Sequence, residues 1–398
     1  MRYVLTNAKV VLPHRILDGT VVVEEGKIFA IEQGTVQLQG HQIDLQGLYL
    51  APGFVEIHTH GAGGCDFMDG TLNAFVTASR THFEHGVTTL LPTALAATRE
   101  EILRSIDGFR KAREALVNGP YLPGLHMEGP YLNVQQKGAI DEKYIREPDP
   151  VEYEEFLEYG KGAIARWTVA PELKGALSFG DRLMREGILP SIGHSNADFW
   201  QVQEAFHHGF THVTHLYSAM STIVRKSGFR YPGVLESAFI LPDMTVELIA
   251  DGCHLPAELL EMVYRLKGVE KVCLTCDSMR CAGQDVQESI LGSLEKGQRV
   301  IIEDDVAKLP DRSAFAGSIA TTDRLVRVMV QQAGISLQDS VRMLTLTPAN
   351  IIGLGHKKGS IAVGKDADLI CFDQNINIKG TLFGGRPVSG IFLNKGVV

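Results

Sequence analysis

Apolar and polar positions alternate in two rhythms along this chain. The first fifty residues are short alternating segments broken by turn signals, YVLTNAKVVLP, GTVVVEEGKIFAIEQG and HQIDLQGLYLAPG, the pattern of a small sheet with glycine turns. The C-terminal stretch GSIAVGKDADLICFDQNINIKGTLFGGRPVSGIFLNKG has the same texture, which predicts that the two ends pair into one small β domain. Between them, apolar runs alternate with helical spacing. Strands are predicted at 53–61, 86–95, 121–129, 163–172, 187–195, 211–218, 244–251 and 271–278, and stretches such as ADFWQVQEAFHHG and PAELLEMVYRLKG have the period of helices packed on a sheet. Eight such units over roughly 250 residues match the size of a (β/α)8 barrel. A doubly wound sheet also alternates strand and helix, but eight in succession favour closure. The expected class is therefore α/β, a TIM-like (β/α)8 barrel at 53–352 with a small β-sandwich domain built from 1–52 and 353–398.

Composition narrows the function more than the fold. Of 398 residues 44% are hydrophobic, enough for a large core, and 38 basic against 47 acidic residues give a net charge of −9. That balance argues against a nucleic-acid or anionic-membrane surface and leaves any anionic ligand to a local cluster of cations. The start MRYVLTNAKV has no secretory pattern, and no apolar run reaches the 18 or so residues of a membrane span. Six scattered cysteines at 65, 253, 273, 276, 281 and 371 suit a reduced, cytoplasmic, soluble protein. Cys273 and Cys276 form a lone CxxC, but strand alternation sends them to opposite faces, so no zinc or redox role is expected there.

In barrels of this kind chemistry sits at the C-terminal ends of the strands, and the polar residues collect there. His58 and His60 end the first predicted strand, two apart and so on one face. Glu128 ends the third, His194 the fifth, His215 the sixth, Asp251 and His254 follow the seventh, and Asp277 ends the eighth. A lone strand histidine is most often structural; five at strand ends out of 14, joined by carboxylates, point to a divalent metal. His58, His60, Glu128, His194 and His215 supply one or two ions per subunit, with Glu128 bridging. That role also explains a carboxylate in the apolar stretch YLPGLHMEGPYLN, since buried charge needs a partner. His126 shares its strand face and is expected to support the ligands. His82, His85, His207, His208 and His212 are expected to be structural. Asp277 is placed to move protons for a metal-activated water.

These residues carry a resemblance. PGFVEIHTHG, followed by late HS, TH and D elements and a β domain from both ends, resembles the amidohydrolase superfamily. Within it, GLHMEGPYLN, GHSNA, THLYSAM, IADGCH, CDSMR and FAGS are similar to the N-acetylglucosamine-6-phosphate deacetylases, in order and across nearly the whole chain. The resemblance implies hydrolysis of the acetamide of N-acetylglucosamine 6-phosphate to glucosamine 6-phosphate and acetate. It implies Glu128, His194 and His215 as principal metal ligands, His58 and His60 for a second ion, and Asp277 as catalytic acid/base. It implies substrate contacts from Ala139, Ile140, Ser218, Ala219, His254, Ala316 and Gly317. Arg230 in RYPG would bind phosphate across a homodimer interface, with Arg225 and Lys226 as neighbouring candidates. The native ion is expected to be zinc, with iron, cobalt or manganese also suited to the donors. Two departures stand out: the family commonly has Asn at Ser218 and His or Gln at Ile140. They leave the reaction in place and open the sugar preference to another N-acetyl hexosamine 6-phosphate, such as the galactosamine epimer. A deaminase or cyclic amidase would explain the metal residues but not HMEGPYLN, and a non-catalytic scaffold would not need every ligand.

Overall fold

The computed structural model describes residues 1–36 and 38–393. The eight apolar runs of the middle form one parallel sheet in chain order: Phe54–Thr59, Val87–Leu95, Leu125–Glu128, Ile164–Val169, Leu189–Ile192, His212–Val213, Thr245–Ile249 and Val272–Thr275. A helix follows each strand, from Leu72–Glu84 after the first to Thr322–Gln331 after the eighth, as parallel pairing requires. The ring closes between first and eighth strands. The Asp277 N–H donates to the His58 carbonyl (3.1 Å) and the His60 N–H to the Ser278 carbonyl (2.8 Å). Glu56 strengthens this seam from inside, accepting from the Thr275 hydroxyl (2.6 Å) and the Cys276 N–H (3.0 Å). Burial pushes the Glu56 carboxyl above its ordinary value, against the hydrogen bonds it accepts.

The two ends of the chain do share a sheet. Leu369–Phe372 runs antiparallel to Tyr49–Pro52, with Ile370 opposite Ala51, and Tyr49–Pro52 runs parallel to Arg2–Leu12. The sheet extends to Lys27–Gln33 on one side and Arg386–Gly390 on the other. Its period of two has a visible result. Val10, Leu50, Leu369 and Cys371 enter a core of their own, while their neighbours Val11, Ala51, Ile370 and Phe372 pack into the barrel's core. Both faces are therefore buried, and the sheet is anchored to the barrel through alternate residues.

Three features differ from expectation. Several strands stop two to five residues before their predicted ends; in strands five, six and eight His194, His215 and Asp277 adopt left-handed backbone (φ +48°, +29° and +45°) that no strand can continue. A small antiparallel sheet, Glu288–Leu291, Gln298–Glu303 and Val306–Lys308, is inserted after the eighth strand. The segment after strand six is an exposed hairpin, Val224–Lys226 paired with Phe229–Tyr231. Among the described residues no helix is long and apolar enough to cross a membrane.

Candidate metal centre and active site

Glu128 ends strand three at the mouth of the barrel, and it meets four imidazoles. Its Oε1 lies 3.2 Å from His194 Nε2, 3.1 Å from His215 Nε2 and 3.4 Å from His58 Nε2; its Oε2 lies 3.1 Å from His60 Nε2. Asp277 Oδ1 closes the group at 3.3 Å from His58 Nε2 and 3.2 Å from His60 Nε2. All six residues are buried, and neither carboxylate has a lysine or arginine partner among the described residues. Burial opposes the charge on Glu128 and Asp277, but the surrounding imidazoles outweigh it and hold both carboxyls below their ordinary values. The same carboxylates, working against burial, push His60 up to about 9. Two buried negative charges facing four ring nitrogens form a site that favours a cation.

The donor geometry fits a divalent ion. The donors fall into two sets, Glu128 with His194 and His215, and His58 with His60 and Asp277. His194 and His215 point their Nε2 atoms at each other, 3.1 Å apart; ligands of one tetrahedral ion bound at ~2.1 Å would stand about 3.4 Å apart. His58 Nε2 and Asp277 Oδ1 are buried and hydrogen-bond to nothing among the described residues. The far ring nitrogens fix two tautomers: His194 Nδ1 donates to the Gln136 carbonyl (2.8 Å) and His58 Nδ1 to Glu247 (2.7 Å). In its neutral form each ring thus turns its lone pair toward Glu128, as a metal ligand must.

Local backbone explains the placement. His194, His215 and Asp277 each turn left-handed just past a strand, aiming their side chains across the barrel mouth rather than along it. Such backbone is strained for residues with a Cβ, and strain of this kind collects at functional sites. It is held by hydrogen bonds: the Asn133 N–H reaches the His194 carbonyl (2.9 Å) and the Ser318 N–H reaches the Asp277 carbonyl (2.8 Å).

Above this floor opens a cavity of about 240 Å³. Ala139, Ile140, Ser218, Ala219, His254 and Gly317 line it together with Glu128, Asp277, His60, His194 and His215. Asp251 orients His254 by accepting from its Nδ1 (2.8 Å), and Phe315 lies edge-on to the same ring with centroids 4.9 Å apart. Ala316 does not face the cavity: it is fully buried in the insertion's small core, and its N–H donates to the Ala307 carbonyl (2.9 Å). Arg230 is also outside it, exposed on the hairpin with Arg225 and Lys226, its guanidinium reaching only the Gly228 carbonyl among the described residues. Ile140 packs with Ala96 and Leu132 in an apolar cluster. His126 bonds Thr93 and Thr168 and lies edge-to-face with His58, centroids 4.5 Å apart. His212, expected to be structural, lies on strand six inside the barrel. Sequence reasoning missed Glu247 and Arg166, a fully buried ion pair of 2.7 Å beneath the site. A charged residue in the middle of an apolar strand was their signal.

The sequence model of the amidohydrolase family matches residues 49–389, and the chain belongs to that family. Within the family it is similar to proteins named N-acetylglucosamine-6-phosphate deacetylase. One from Lysinibacillus sphaericus is 33% identical over 92% of this chain and 92% of its own length. One from Vibrio furnissii is 32% identical over 93% and 91%. Among solved structures, the Mycobacterium smegmatis N-acetyl-D-glucosamine-6-phosphate deacetylase in complex with N-acetyl-D-glucosamine-6-phosphate superposes with a TM-score of 0.89. It is 29% identical, covering 97% of this chain and 99% of that one.

Proposed function

We propose that this chain is a metal-dependent deacetylase that hydrolyses the acetamide of N-acetylglucosamine 6-phosphate to glucosamine 6-phosphate and acetate. The observation that carries the reading is the meeting of Glu128 with four imidazoles and Asp277 on the floor of one cavity. The full-length similarity to deacetylases of that name supports the substrate.

Glu128, His194 and His215 would hold one divalent ion, with His58 and His60 for a second. Zinc is the first choice for this donor set, and iron, cobalt and manganese are alternatives. Bound there, the ion supplies Lewis acidity, polarising the amide carbonyl and lowering the pKa of a water. Asp277 does the proton work. Held below its ordinary value, its carboxylate is free to accept a proton as water attacks the carbonyl carbon. It then delivers that proton to the amide nitrogen as the C–N bond breaks, so water's two hydrogens end on amine and acid. His254, fixed by Asp251, secures the phosphate from within the subunit. Arg230, exposed on its hairpin, completes the phosphate site of a partner subunit in a homodimer. Binding energy at the phosphate then orients the amide for attack. The protein works in the cytoplasm.

The test is acetate release from a panel of N-acetyl hexosamines, with and without 6-phosphate, assayed with zinc, iron, cobalt and manganese. N-Acetylglucosamine 6-phosphate should lead the panel. Deamination of a ring substrate with no acetate from any sugar would replace this reading with the deaminase one.

A further inference from the structure

The mechanism above leaves the most deeply buried charges of the barrel unused. Glu247 on strand seven and Arg166 on strand four are both fully buried. His212, Glu247 and Cys273 bring three donors close enough for one ion, yet Arg166 already sits there, donating to Glu247 Oε2 at 2.7 Å. The guanidinium fills the cation's role and is itself held by the Ser191 hydroxyl (3.0 Å), the Thr214 hydroxyl (2.7 Å) and the Ile57 carbonyl (3.2 Å).

The other oxygen of Glu247 points upward. Glu247 Oε1 accepts from His58 Nδ1 at 2.7 Å and from the His215 backbone N–H at 3.0 Å. The Glu247 carbonyl accepts from the Leu216 N–H at 2.8 Å. His58 belongs to one donor set and His215 to the other, and His215 has the strained backbone that needs holding. We propose that Glu247 is a positioning residue for both halves of the metal centre, fixing the His58 ring and the His215 turn through one carboxylate oxygen that Arg166 locks in place. This inference rests on the metal-dependent reading above. Glu247 acts through the histidines and never meets substrate. Its charge is paired by geometry, with the Arg166 guanidinium 2.7 Å from Oε2.

Two double variants separate positioning from simple core packing. Arg166→Met with Glu247→Gln keeps an amide oxygen for His58 and the His215 N–H. Arg166→Met with Glu247→Leu keeps volume but offers no acceptor. Both lack the ion pair, and replacing a buried pair by neutral groups of similar size often preserves the fold. The readouts are the chelator concentration that removes half the metal, the absorption spectrum of the cobalt-substituted protein, and melting of the metal-free form. Loss of such a supporting hydrogen bond usually weakens metal binding 10–100-fold. The Leu variant should therefore lose metal at ~10–100-fold lower chelator and show an altered cobalt spectrum, while the Gln variant stays within a few-fold of wild type. Equal metal retention and identical cobalt spectra in the two would overturn the proposal. Should the Leu variant not melt cooperatively, Glu247→Gln alone decides. Its amide must turn an N–H₂ toward either Arg166 or His58, so metal retention should fall and Arg166→Met should restore it; failure to restore refutes the role. Wild-type protein that retains no divalent ion would instead sink the metal-dependent reading itself.

Discussion

Asp277→Asn should abolish most turnover while leaving the architecture in place, and the structure says why Asn is the right probe. Asp277 has a left-handed backbone, φ +45°, a region where Asp and Asn are enriched and other side chains are strained by ~1–2 kcal/mol. Asn therefore keeps the turn, the N–H to the His58 carbonyl and the carbonyl that receives Ser318. The side chain remains 3.2–3.3 Å from the His58 and His60 rings with nearly the same volume. What it loses is the ability to carry a proton between water and the leaving nitrogen. General acid–base catalysis contributes ~10²–10⁴-fold, equivalent to about 3–5 kcal/mol in the barrier. The expected outcome is kcat reduced by that factor, KM within a few-fold, and an ion still held by Glu128, His194 and His215. Steady-state acetate release, metal analysis by mass spectrometry and thermal melting give the three quantities. Asp277→Ala serves as the contrast, losing the same turnover but also melting lower because Ala is strained at this φ. An Asn variant that keeps turnover within tenfold of wild type would hand proton transfer to another residue and refute this account.

Four further outcomes follow from the same geometry. Glu128→Gln removes the one carboxylate shared by all four imidazoles and should strip metal and activity together; full metal occupancy in that variant would end the bridging role. Arg230→Ala should lower kcat/KM for the phosphorylated sugar ~10–100-fold, the size of one charge-assisted hydrogen bond, and sedimentation should show a dimer. Because Ser218 is shorter than Asn and Ile140 offers no hydrogen bond, the kcat/KM ratio of glucosamine to galactosamine epimer should be modest and should rise in Ser218→Asn; a ratio already one-sided and unmoved by the change would dismiss the idea. Far from the site, burial opposes charge on Asp323, but His85, Thr321 and Arg327 hold its carboxyl at about 2. Since the unfolded value is higher, the ionised form stabilises the fold above pH ~4 and that contribution fades as pH falls toward 2. Asp323→Asn should thus melt lower by the equivalent of about 2 kcal/mol at pH 6, with the difference from wild type shrinking at pH 3.

The barrel was legible because each strand is a run of apolar residues bounded by breaks, and each chemically loaded residue stands at the end of one. His58, Glu128, His194, His215 and Asp277 lie on five different strand ends, and only closure of a sheet brings five ends to one point. The paired β texture of the two termini was equally readable, and its alternation shows in Val10 and Leu50 entering one core while Val11 and Ala51 enter the other. The inserted sheet of residues 288–308 was not legible. Its strands are three to six residues long and mostly half-exposed, too short and too polar for periodicity to speak. The packing of the Ala316 side chain was hidden for the same reason, because it depends on pairing with that insertion. Arg230 is given its phosphate role by the resemblance alone, since on its exposed hairpin no contact among the described residues beyond the Gly228 carbonyl shows what it faces.

Arg166 and Glu247 show where a pattern of apolar strands hides information. Each interrupts a run, in AIARWTV and TVELIAD, and each by alternation faces the barrel interior with His126, His212 and Cys273. Charged residues are almost never fully buried unless paired, so two opposite charges at inward positions of strands four and seven already imply one another. Removing only one would leave a bare charge in the core and destabilise by ~3–5 kcal/mol, whereas a purely apolar pair would pack there without penalty. The pair therefore earns its place through what rests on it rather than through stability. What rests on it is the Glu247 oxygen beneath His58 and His215, and a barrel whose interior were only hydrophobic would have nothing to aim either group.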